Sequence, residues 1–264
     1  MKPDYKNWIP KGMIYSLAVG TAISLALLII FGIAGIGVSG TLRTVLTVVF
    51  TIATLVCGKY TQWCISAYNA FSYTGKRRLS KQVIDGTAAY ITLPDGGIGL
   101  DVGCGSGALT NACAKRNPNA KMMGIDRWGK EYASFSLPLC QSNAKAEGVG
   151  DRTEFRRGDA TKLEFADETF DAVTSNYVYH NITGADKQKL LLETLRVLKK
   201  GGTFALHDLM SERRYGDMQA FVKKLKDMGY ERVELIDTTK GKFMSEKEAR
   251  RLMLTGSMLL TGKK

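Results

Sequence analysis

The feature that most constrains this chain is a glycine-rich turn between an apolar strand and a helix. Residues 97–107 read GIGLDVGCGSG, and an acid, Asp101, stands two positions before three glycines that are spaced by single residues. Glycine lets the backbone approach a ligand closely, and the start of the following helix offers free N–H groups. Such a turn after a buried strand predicts a nucleotide site in an α/β domain. Asp126, at the end of the next predicted strand, suits a ribose-binding acid.

The N-terminal part of the chain has the composition of a membrane anchor. The uncharged run Gly12–Val38 exceeds the roughly 20 residues that span a hydrocarbon core. A second uncharged run, Thr44–Gly58, follows after a short turn. Together the runs predict an N-terminal two-helix membrane hairpin. The alternatives are a signal peptide for the first run and a buried or interfacial helix for the second.

Basic residues predict the boundaries and orientation of this hairpin. The cluster Lys76–Lys81 follows the second run and the N-terminal tail carries three lysines, whereas the connecting turn carries only Arg43. Lys and Arg concentrate on the cytoplasmic side of membrane proteins. We therefore expect an integral membrane protein with an anchor over residues 1–74 and a catalytic domain over residues 75–264 on the cytoplasmic face.

The net charge of +12 indicates the kind of partner. It fits attraction to anionic lipid headgroups beside the second run, and a solvated helix face is the alternative for the cluster. We find no nucleic-acid-binding motif in the sequence, so no nucleic-acid partner is expected. The five cysteines form no pairing pattern and, with only two histidines, predict reduced thiols and no metal site.

Beyond Gly75, strands alternate with helices, which predicts an α/β fold with a mostly parallel sheet covered on both faces. Little helix is expected between the last two strands, which indicates an antiparallel hairpin at one edge. A long helix is expected from the end of the second strand to about Glu147. The predicted strands are Ile98–Val102, Lys121–Asp126, Arg152–Phe155, Phe170–Ser175, Thr203–His207, Val233–Ile236 and Met253–Leu260.

Five motifs in a fixed order resemble the class I S-adenosylmethionine-dependent methyltransferases. They are DVGCGSG, GID at the end of the second strand, GDA at Gly158–Ala160, FDAVTSN and LRVLKKGG. The similarity covers about residues 78–264. It implies a Rossmann-like class I methyltransferase sheet and S-adenosyl-L-methionine as the cofactor. The glycine motif alone also fits a nicotinamide-dependent reductase, and a catalytically silent membrane scaffold is a further alternative.

The resemblance also implies roles for cofactor-binding residues. Asp101 would organise the glycine loop or meet the cofactor's amino group, and Asp126 would accept hydrogen bonds from both ribose hydroxyls. Trp128 would pack on adenine, or else serve as a core or interface anchor. Asp159 would receive the adenine amino group, or else act as a turn acid. The full set is Asp101, Gly103, Cys104, Gly105, Gly107, Asp126, Arg127, Trp128, Asp159, Ala160 and Asn176.

Catalytic residues are expected where the fourth and fifth strands end. The two histidines of the chain, His180 and His207, fall on this rim, and Tyr177 lies beside the first. A histidine with a near-neutral pKa can deprotonate an acceptor oxygen, nitrogen or thiol. Hydrogen bonding within the loop is the alternative for each histidine.

The acceptor is expected to be small and apolar or membrane-associated, because a membrane segment occupies the place where this fold often carries its acceptor lid. Lipid headgroup, quinone, small thiol and amine all remain open. The residues after the fourth strand, Asn176-Tyr177-Val178-Tyr179, differ from the NPPY-like tetrapeptide of amino-methylating nucleic-acid and glutamine methyltransferases. The sequence does not predict the oligomeric state.

Overall fold

The computed structural model describes residues 2–129 and 134–264, which form two compact units. One unit is Asn7–Ser80, and the other combines Met1–Lys6 with Lys81–Lys264. The chain therefore leaves the larger unit at Lys6 and returns to it at Lys81. The division expected from sequence falls at residues 74 and 75 and assigns the N-terminal tail to the anchor.

The smaller unit is built from two long helices. Helix α1 (Lys11–Leu27) continues as a π-helical segment (Leu28–Ile33), and α2 spans Gly40–Phe71. By length and composition, both are apolar enough to cross a membrane. They approach closely through small polar side chains, since the Thr54 hydroxyl donates to Ser24 Oγ at 3.2 Å. Small residues at such an interface let two helix backbones pack against each other.

The turn between the two helices is held by Arg43, which lies near the start of α2. Arg43 donates from Nε to the Gly32 carbonyl at 2.9 Å and from Nη2 to the Ile33 carbonyl at 2.7 Å. The last carbonyls of a helix have no partner within it, so the guanidinium caps the π-helical segment. The Arg43 guanidinium is thus bonded to backbone carbonyls within the hairpin.

The larger unit contains a seven-stranded sheet with the order β3-β2-β1-β4-β5-β7-β6. Strands β1 to β5 pair in parallel, and β7 runs antiparallel to both of its neighbours. The predicted mostly parallel α/β sheet with an antiparallel edge is confirmed. The strands are β1 (Ile98–Val102), β2 (Lys121–Asp126), β3 (Thr153–Arg157), β4 (Phe170–Asn176), β5 (Leu198–Leu209), β6 (Arg232–Asp237) and β7 (Ser257–Lys263).

Helices pack on this sheet, and the hydrophobic core lies between the helices and the sheet. The helix α8 (Met218–Asp227) illustrates the packing, because it buries Phe221, Val222 and Leu225 on one stripe and is capped by the Asp217 carboxylate. The remaining helices are α3 (Leu79–Ala88), α4 (Ala108–Arg116), α5 (Leu137–Ala146), α6 (Lys187–Arg196), α7 (Glu212–Tyr215), α8 (Met218–Asp227) and α9 (Glu246–Arg251), with a 3-10 turn at Tyr179–Asn181.

Strand β5 (Leu198–Leu209) is longer than the predicted Thr203–His207, because Leu198 also pairs with Phe170 of β4. Helix α5 and strand β7 begin later than predicted, for local reasons. Helix α5 begins only at Leu137, because Ser136 caps it by accepting from the Leu139 N–H at 3.3 Å. The part of the predicted long helix at residues 130–133 lies outside the described residues. The last strand begins at Ser257, because the chain turns at left-handed Met253 (φ 59°) and Gly256 (φ 83°).

The connection between the last two strands also differs from the prediction. The short helix α9 lies between β6 and β7, where little helix was expected, and Ser245 caps its first turn by accepting from the Glu248 N–H at 3.2 Å. Strand β7 lies between β5 and β6 and not at the sheet edge. Its first residues therefore reach the same rim as the last residues of β5.

Candidate active site

The glycine loop between β1 and α4 is fixed to the neighbouring strand. The N–H groups of Gly103 and Cys104 both donate to the Ile125 carbonyl, at 2.8 and 3.0 Å. Gly103 adopts φ 74°, and a Cβ built on it would lie 2.3 Å from Cγ2 of Val178. Only glycine fits this position. The close approach brings the loop against the segment after β4 that carries His180.

Asp126 and Trp128 close the loop from the end of β2. The Asp126 carboxylate accepts from the Gly105 N–H at 2.9 Å and from the Trp128 N–H at 2.8 Å. The Trp128 indole N–H in turn donates to the Gly105 carbonyl at 2.9 Å. A carboxylate has about four lone-pair positions, so each Asp126 oxygen retains capacity for a ligand donor. Among the described residues, a Cβ built on Gly105 would meet Phe135 at 3.7 Å.

Asp101 lies beneath the loop and is buried. Its carboxylate accepts from the Thr110 hydroxyl at 2.6 Å. Burial raises the pKa of Asp101 to about 7, although the hydrogen bond from Thr110 acts in the opposite direction. No cationic side chain pairs with Asp101 among the residues that the structure describes. A ligand ammonium group would supply the missing charge.

Asp101→Asn is expected to change how stability depends on pH. The folded carboxyl, with a pKa of about 7, retains a proton that the unfolded chain loses near the ordinary aspartate pKa of about 3.8. The free energy of unfolding of the wild type therefore falls as pH rises from about 4 to about 7. The asparagine still accepts from Thr110 and does not titrate, so the variant should gain stability relative to the wild type over this interval. Urea unfolding of the cofactor-free protein at several pH values measures the difference.

The matched control for this experiment is Asp151→Asn, because the Asp151 side chain is 80% exposed. Its unfolding free energy should follow the wild type at every pH. Parallel curves for Asp101→Asn and the wild type would show that Asp101 is already ionised in the folded protein.

The ends of β4 and β5 bring Asn176 and His207 side by side. The two residues are register partners, and His207 Nδ1 lies 2.8 Å from Asn176 Oδ1. The other ring nitrogen, Nε2, lies 3.0 Å from Thr238 Oγ1. Burial lowers the pKa of His207 to about 3, although the nearby Asp208 carboxylate acts in the opposite direction. His207 is therefore neutral near pH 7, with both ring nitrogens engaged.

Tyr177 lies between the two histidines. Its ring centroid is 4.6 Å from that of His207 and 6.1 Å from that of His180. The phenol oxygen lies 2.7 Å from Ser257 Oγ, and burial raises the pKa of Tyr177 above its usual range. The residue adopts φ 55°, a left-handed conformation that is unfavourable for tyrosine and concentrates at functional sites.

His180 is bonded to a buried carboxylate. His180 Nδ1 lies 2.5 Å from Asp208 Oδ1, and Asp208 also accepts from the backbone N–H groups of Tyr179 (2.8 Å) and Leu209 (2.6 Å). Burial raises the pKa of Asp208, but the hydrogen bonds from His180 and Leu209 outweigh this effect and hold the pKa below its usual value. An ionised Asp208 accepts the Nδ1 proton, so neutral His180 carries its lone pair on Nε2. The His180 side chain is 17% exposed and can be reached from outside.

The GDA turn lies next to the end of β2. The Gly158 N–H donates to the Asp126 carbonyl at 3.2 Å. Asp159 Oδ1 accepts from the backbone N–H and the hydroxyl of Thr161, at 2.8 and 2.7 Å, and these bonds lower the pKa of Asp159. Asp159 thus makes a turn of its own, and Ala160 packs partly buried against the core.

Most of the sequence-predicted residues therefore form two neighbouring groups, whereas Asp101 bonds to Thr110 and Asp159 bonds to Thr161. The glycine loop, Asp126 and Trp128 share one hydrogen-bond network, and Asn176, Tyr177 and the histidines form another beside it. Sequence reasoning did not assign a role to Asp208, Thr238 or Ser257. The adjacent pair His207-Asp208 at a strand end was the only available signal for Asp208. In the described part of the chain, no cluster of three His, Cys, Asp or Glu side chains could hold a metal ion.

Comparison with known proteins finds a family match in the middle of the chain. Residues 100–206 match the family described as a methyltransferase domain. A demethylmenaquinone methyltransferase of Lactiplantibacillus plantarum is 37% identical over 116 residues, which are 44% of this chain and 46% of that relative. The chain spans about half the length of the curated relatives it matches. The matched residues 100–206 include the glycine loop and strand β2.

Solved structures share the fold at low sequence identity. The [4+2]-cyclase SpnF has a TM-score of 0.55 at 19% identity and covers 73% of this chain and 85% of its own. Geranyl diphosphate C-methyltransferase from Streptomyces coelicolor has a TM-score of 0.54 at 14% identity, with coverages of 75% and 82%. These likenesses concern the fold alone. The chain thus carries the fold of these structures around the residues 100–206 that match a methyltransferase domain.

Proposed function

We propose that the chain is an integral membrane methyltransferase that methylates a small, apolar, membrane-resident acceptor with an acidic hydroxyl, of the quinol or phenol class. The observation that carries this proposal is the hydrogen bond between His180 and Asp208, on the rim beside the glycine loop. It provides a proton acceptor where the fold holds its ligands. The match to a demethylmenaquinone methyltransferase supports a quinone-type acceptor.

The residues of the cofactor side fit S-adenosylmethionine. Asp126 has lone pairs left for ribose hydroxyls, and the buried, unpaired Asp101 suits the ammonium group of the methionine part. Asp159 lies next to the end of β2, where it could accept a hydrogen bond from the adenine amino group. When bound, S-adenosylmethionine supplies a methyl group on a positively charged sulfur that is already activated for transfer. The protein must then align and deprotonate the acceptor.

His180 takes up the proton that leaves the hydroxyl group of the molecule to be methylated. The lone pair on Nε2 takes the hydroxyl proton, and Asp208 stabilises the resulting imidazolium through Nδ1. With S-adenosylmethionine bound, the electron pair freed on the acceptor oxygen would form the bond to the methyl carbon, and the sulfur would keep the electron pair of its broken bond as a neutral thioether. Methylation at a conjugated ring carbon would also require that carbon to lose its own proton. Proton removal therefore balances the positive charge that the methyl donor loses.

His207 serves a different purpose from the one that sequence predicts. Its ring is buried, neutral and bonded on both sides, so it has no lone pair free for an acceptor. Through Asn176 it fixes an amide group at the end of β4, near the predicted position of the reacting methyl. Tyr177 holds the two histidines apart and remains protonated. We therefore assign His207 and Tyr177 to positioning.

The anchoring part of the proposal rests on the surface of the smaller unit. The most apolar stretch of α2 buries none of its residues, and Tyr15 on α1 is 66% exposed. A helix of a soluble core would bury such a face. An apolar acceptor that partitions into the bilayer is concentrated around the same hairpin, which favours this acceptor class over a water-soluble thiol or amine.

Methyl transfer is tested with full-length protein in lipid nanodiscs. The protein is incubated with S-adenosylmethionine that carries an isotope-labelled methyl group and with a membrane extract, and products are separated by mass spectrometry. We expect the label in an apolar quinol or phenol. Label in phospholipid headgroups, thiols or amines would keep methyl transfer and replace the acceptor class. Bound cofactor without any labelled product would favour the silent scaffold; shared fold with a cyclase already shows that fold alone does not determine chemistry.

Orientation is tested by labelling single cysteines with a membrane-impermeant maleimide in a Cys57→Ser background, since the other four cysteines are buried. A cysteine placed at exposed Ser39 should react in intact cells. A cysteine at Asp151, whose side chain is 80% exposed, should react only after lysis. The physical reason is the concentration of Lys and Arg on both flanks of the hairpin.

Reaction of both positions before lysis would contradict the cytoplasmic orientation of the catalytic domain. Reaction of neither position before lysis would contradict a hairpin that crosses the bilayer twice.

A further inference from the structure

The N-terminal tail is packed into the larger unit. Residue Tyr5 is only 5% exposed. The tail is joined to residues more than one hundred positions away in sequence. We call residues Lys2–Lys6 the strap.

Asn143 of α5 links the strap to the glycine loop. Its amide oxygen accepts from the Asp4 N–H at 2.7 Å, and its amide nitrogen donates to the Asp4 carbonyl at 3.0 Å. The same nitrogen donates to the carbonyl of Ser106 at 3.0 Å. Ser106 is the residue between the second and third glycines of the loop. A single buried side chain therefore holds the strap backbone and the loop backbone together.

Tyr5 makes a second link, to the helix that the loop opens. Its hydroxyl donates to Glu147 at 3.0 Å and accepts from the Asn111 amide at 3.2 Å. Asn111 lies in the first turn of α4, where its N–H donates to the Gly107 carbonyl at 2.9 Å. The strap is thus linked to Ser106 in the glycine loop through Asn143, and to Asn111 at the start of α4 through Tyr5.

The strap ends in a built turn. The Asp4 carboxylate accepts from the Lys6 N–H at 3.0 Å and forms an ion pair with the Lys6 ammonium at 2.5 Å. Lys6 adopts φ 57°, so the chain changes direction there. The turn keeps Asp4 and Tyr5 on the larger unit at the point where the chain leaves it.

We infer that the strap preorganises the glycine loop for the cofactor, with Asn143 and Tyr5 as positioning residues. The inference rests on the proposed function, because it takes the loop as the S-adenosylmethionine site. A loop that is already ordered loses less conformational freedom when a ligand binds, and the ligand binds more tightly. Residues 7–10 connect the strap to α1, so the order of the loop depends on a segment that is joined to the first apolar helix.

The test compares Asn143→Ala and Tyr5→Phe with the wild type as full-length proteins in nanodiscs. Gln141→Ala is the matched control, because Gln141 is an exposed side chain on the same helix. Hydrogen exchange is measured without cofactor, and we expect faster exchange over residues 103–111 in both variants. The Kd for S-adenosylhomocysteine should rise about tenfold in Asn143→Ala, equivalent to about 1.4 kcal/mol, and about threefold in Tyr5→Phe.

If Asn143 and Tyr5 had only a structural role, their replacement would lower the free energy of unfolding without a selective change in loop exchange and in Kd. We expect KM for S-adenosylmethionine to rise and kcat to stay within about twofold, because neither residue touches the acceptor side. Should Asn143→Ala fail to fold, Tyr5→Phe and a chain lacking residues 2–5 carry the test, since both leave the sheet intact.

If the variants that fold show unchanged hydrogen exchange over residues 103–111, the inference that the strap orders the loop is wrong, whatever their Kd for S-adenosylhomocysteine. Failure of the wild type to bind S-adenosylhomocysteine would overturn the proposed function instead, and the exchange measurement would still decide whether the strap orders the loop. Equal exchange and equal Kd in Gln141→Ala and the wild type complete the expected result.

Discussion

His180→Ala is expected to lower kcat by about 10²–10⁴ and to leave the affinity for S-adenosylmethionine nearly unchanged. The reason is that His180 provides the lone pair for the acceptor's proton, whereas the cofactor contacts come from the glycine loop and from the end of β2. Rates measured with the quinol or phenol identified by isotope labelling, together with calorimetry for the cofactor, separate the two effects.

Asp208→Asn provides a second test of the same pair. Asp208 is buried and accepts from His180 Nδ1, so the amide would present a donor or a weaker acceptor in its place. The imidazolium would lose its counter-charge, and kcat should fall by a factor comparable to that of His180→Ala. Asn181→Ala is the control, because it removes an exposed side chain from the same 3-10 turn.

Wild-type turnover in His180→Ala would reduce methyl transfer in this protein to the alignment of its reactants. A large loss of cofactor affinity in the same variant would move His180 from the acceptor side to the cofactor side. His207 does not complicate the result, because its pKa of about 3 keeps it neutral near pH 7.

The cofactor side of the site was largely predictable because its signals are local in sequence. Strands β1 and β2 have the predicted bounds, since each is a short buried run ended by glycine, proline or an acid. In these segments, residues that interact in space are close in the chain or lie at the same edge of one sheet.

The acceptor side was only partly predictable because its partners come from distant segments. Neighbouring residues on a strand point to opposite faces, so sequence could not tell which of His207 and Asp208 faces His180. The partner of Tyr177, Ser257, starts a strand that was predicted four residues too early. These contacts depend on the pairing of β7 with β5, and no local sequence pattern predicts that pairing.

The N-terminal tail shows a different limit of sequence reasoning. Its lysines favoured placement with the membrane anchor, yet residues 1–6 belong to the larger unit. The decisive group, Asn143, is a buried amide on a helix, and its pairing with the backbone of Asp4 bridges 139 positions. No pattern of charge or hydropathy marks such a bond.

Asp126→Ala is expected to weaken cofactor binding by roughly 2–4 kcal/mol, the range for charge-assisted hydrogen bonds left unmade. Part of the loss comes from the ribose hydroxyls that the carboxylate would bind. The rest comes from the loop, because the N–H groups of Gly105 and Trp128 both donate to Asp126 and would lose their acceptor. Calorimetry with S-adenosylmethionine on the detergent-solubilised full chain measures the change in Kd.

Comparison with Asp126→Asn divides these two contributions. The asparagine oxygen can still accept from one backbone N–H but has no charge and fewer lone pairs, so its Kd should lie between those of the wild type and Asp126→Ala. Asp151→Ala, which removes an exposed acid from the loop before β3, should bind as the wild type does. An unchanged Kd in Asp126→Ala would remove Asp126 from the cofactor site. An Asp126→Asn protein as weak as Asp126→Ala would show that the negative charge, more than the number of acceptors, holds the ligand there.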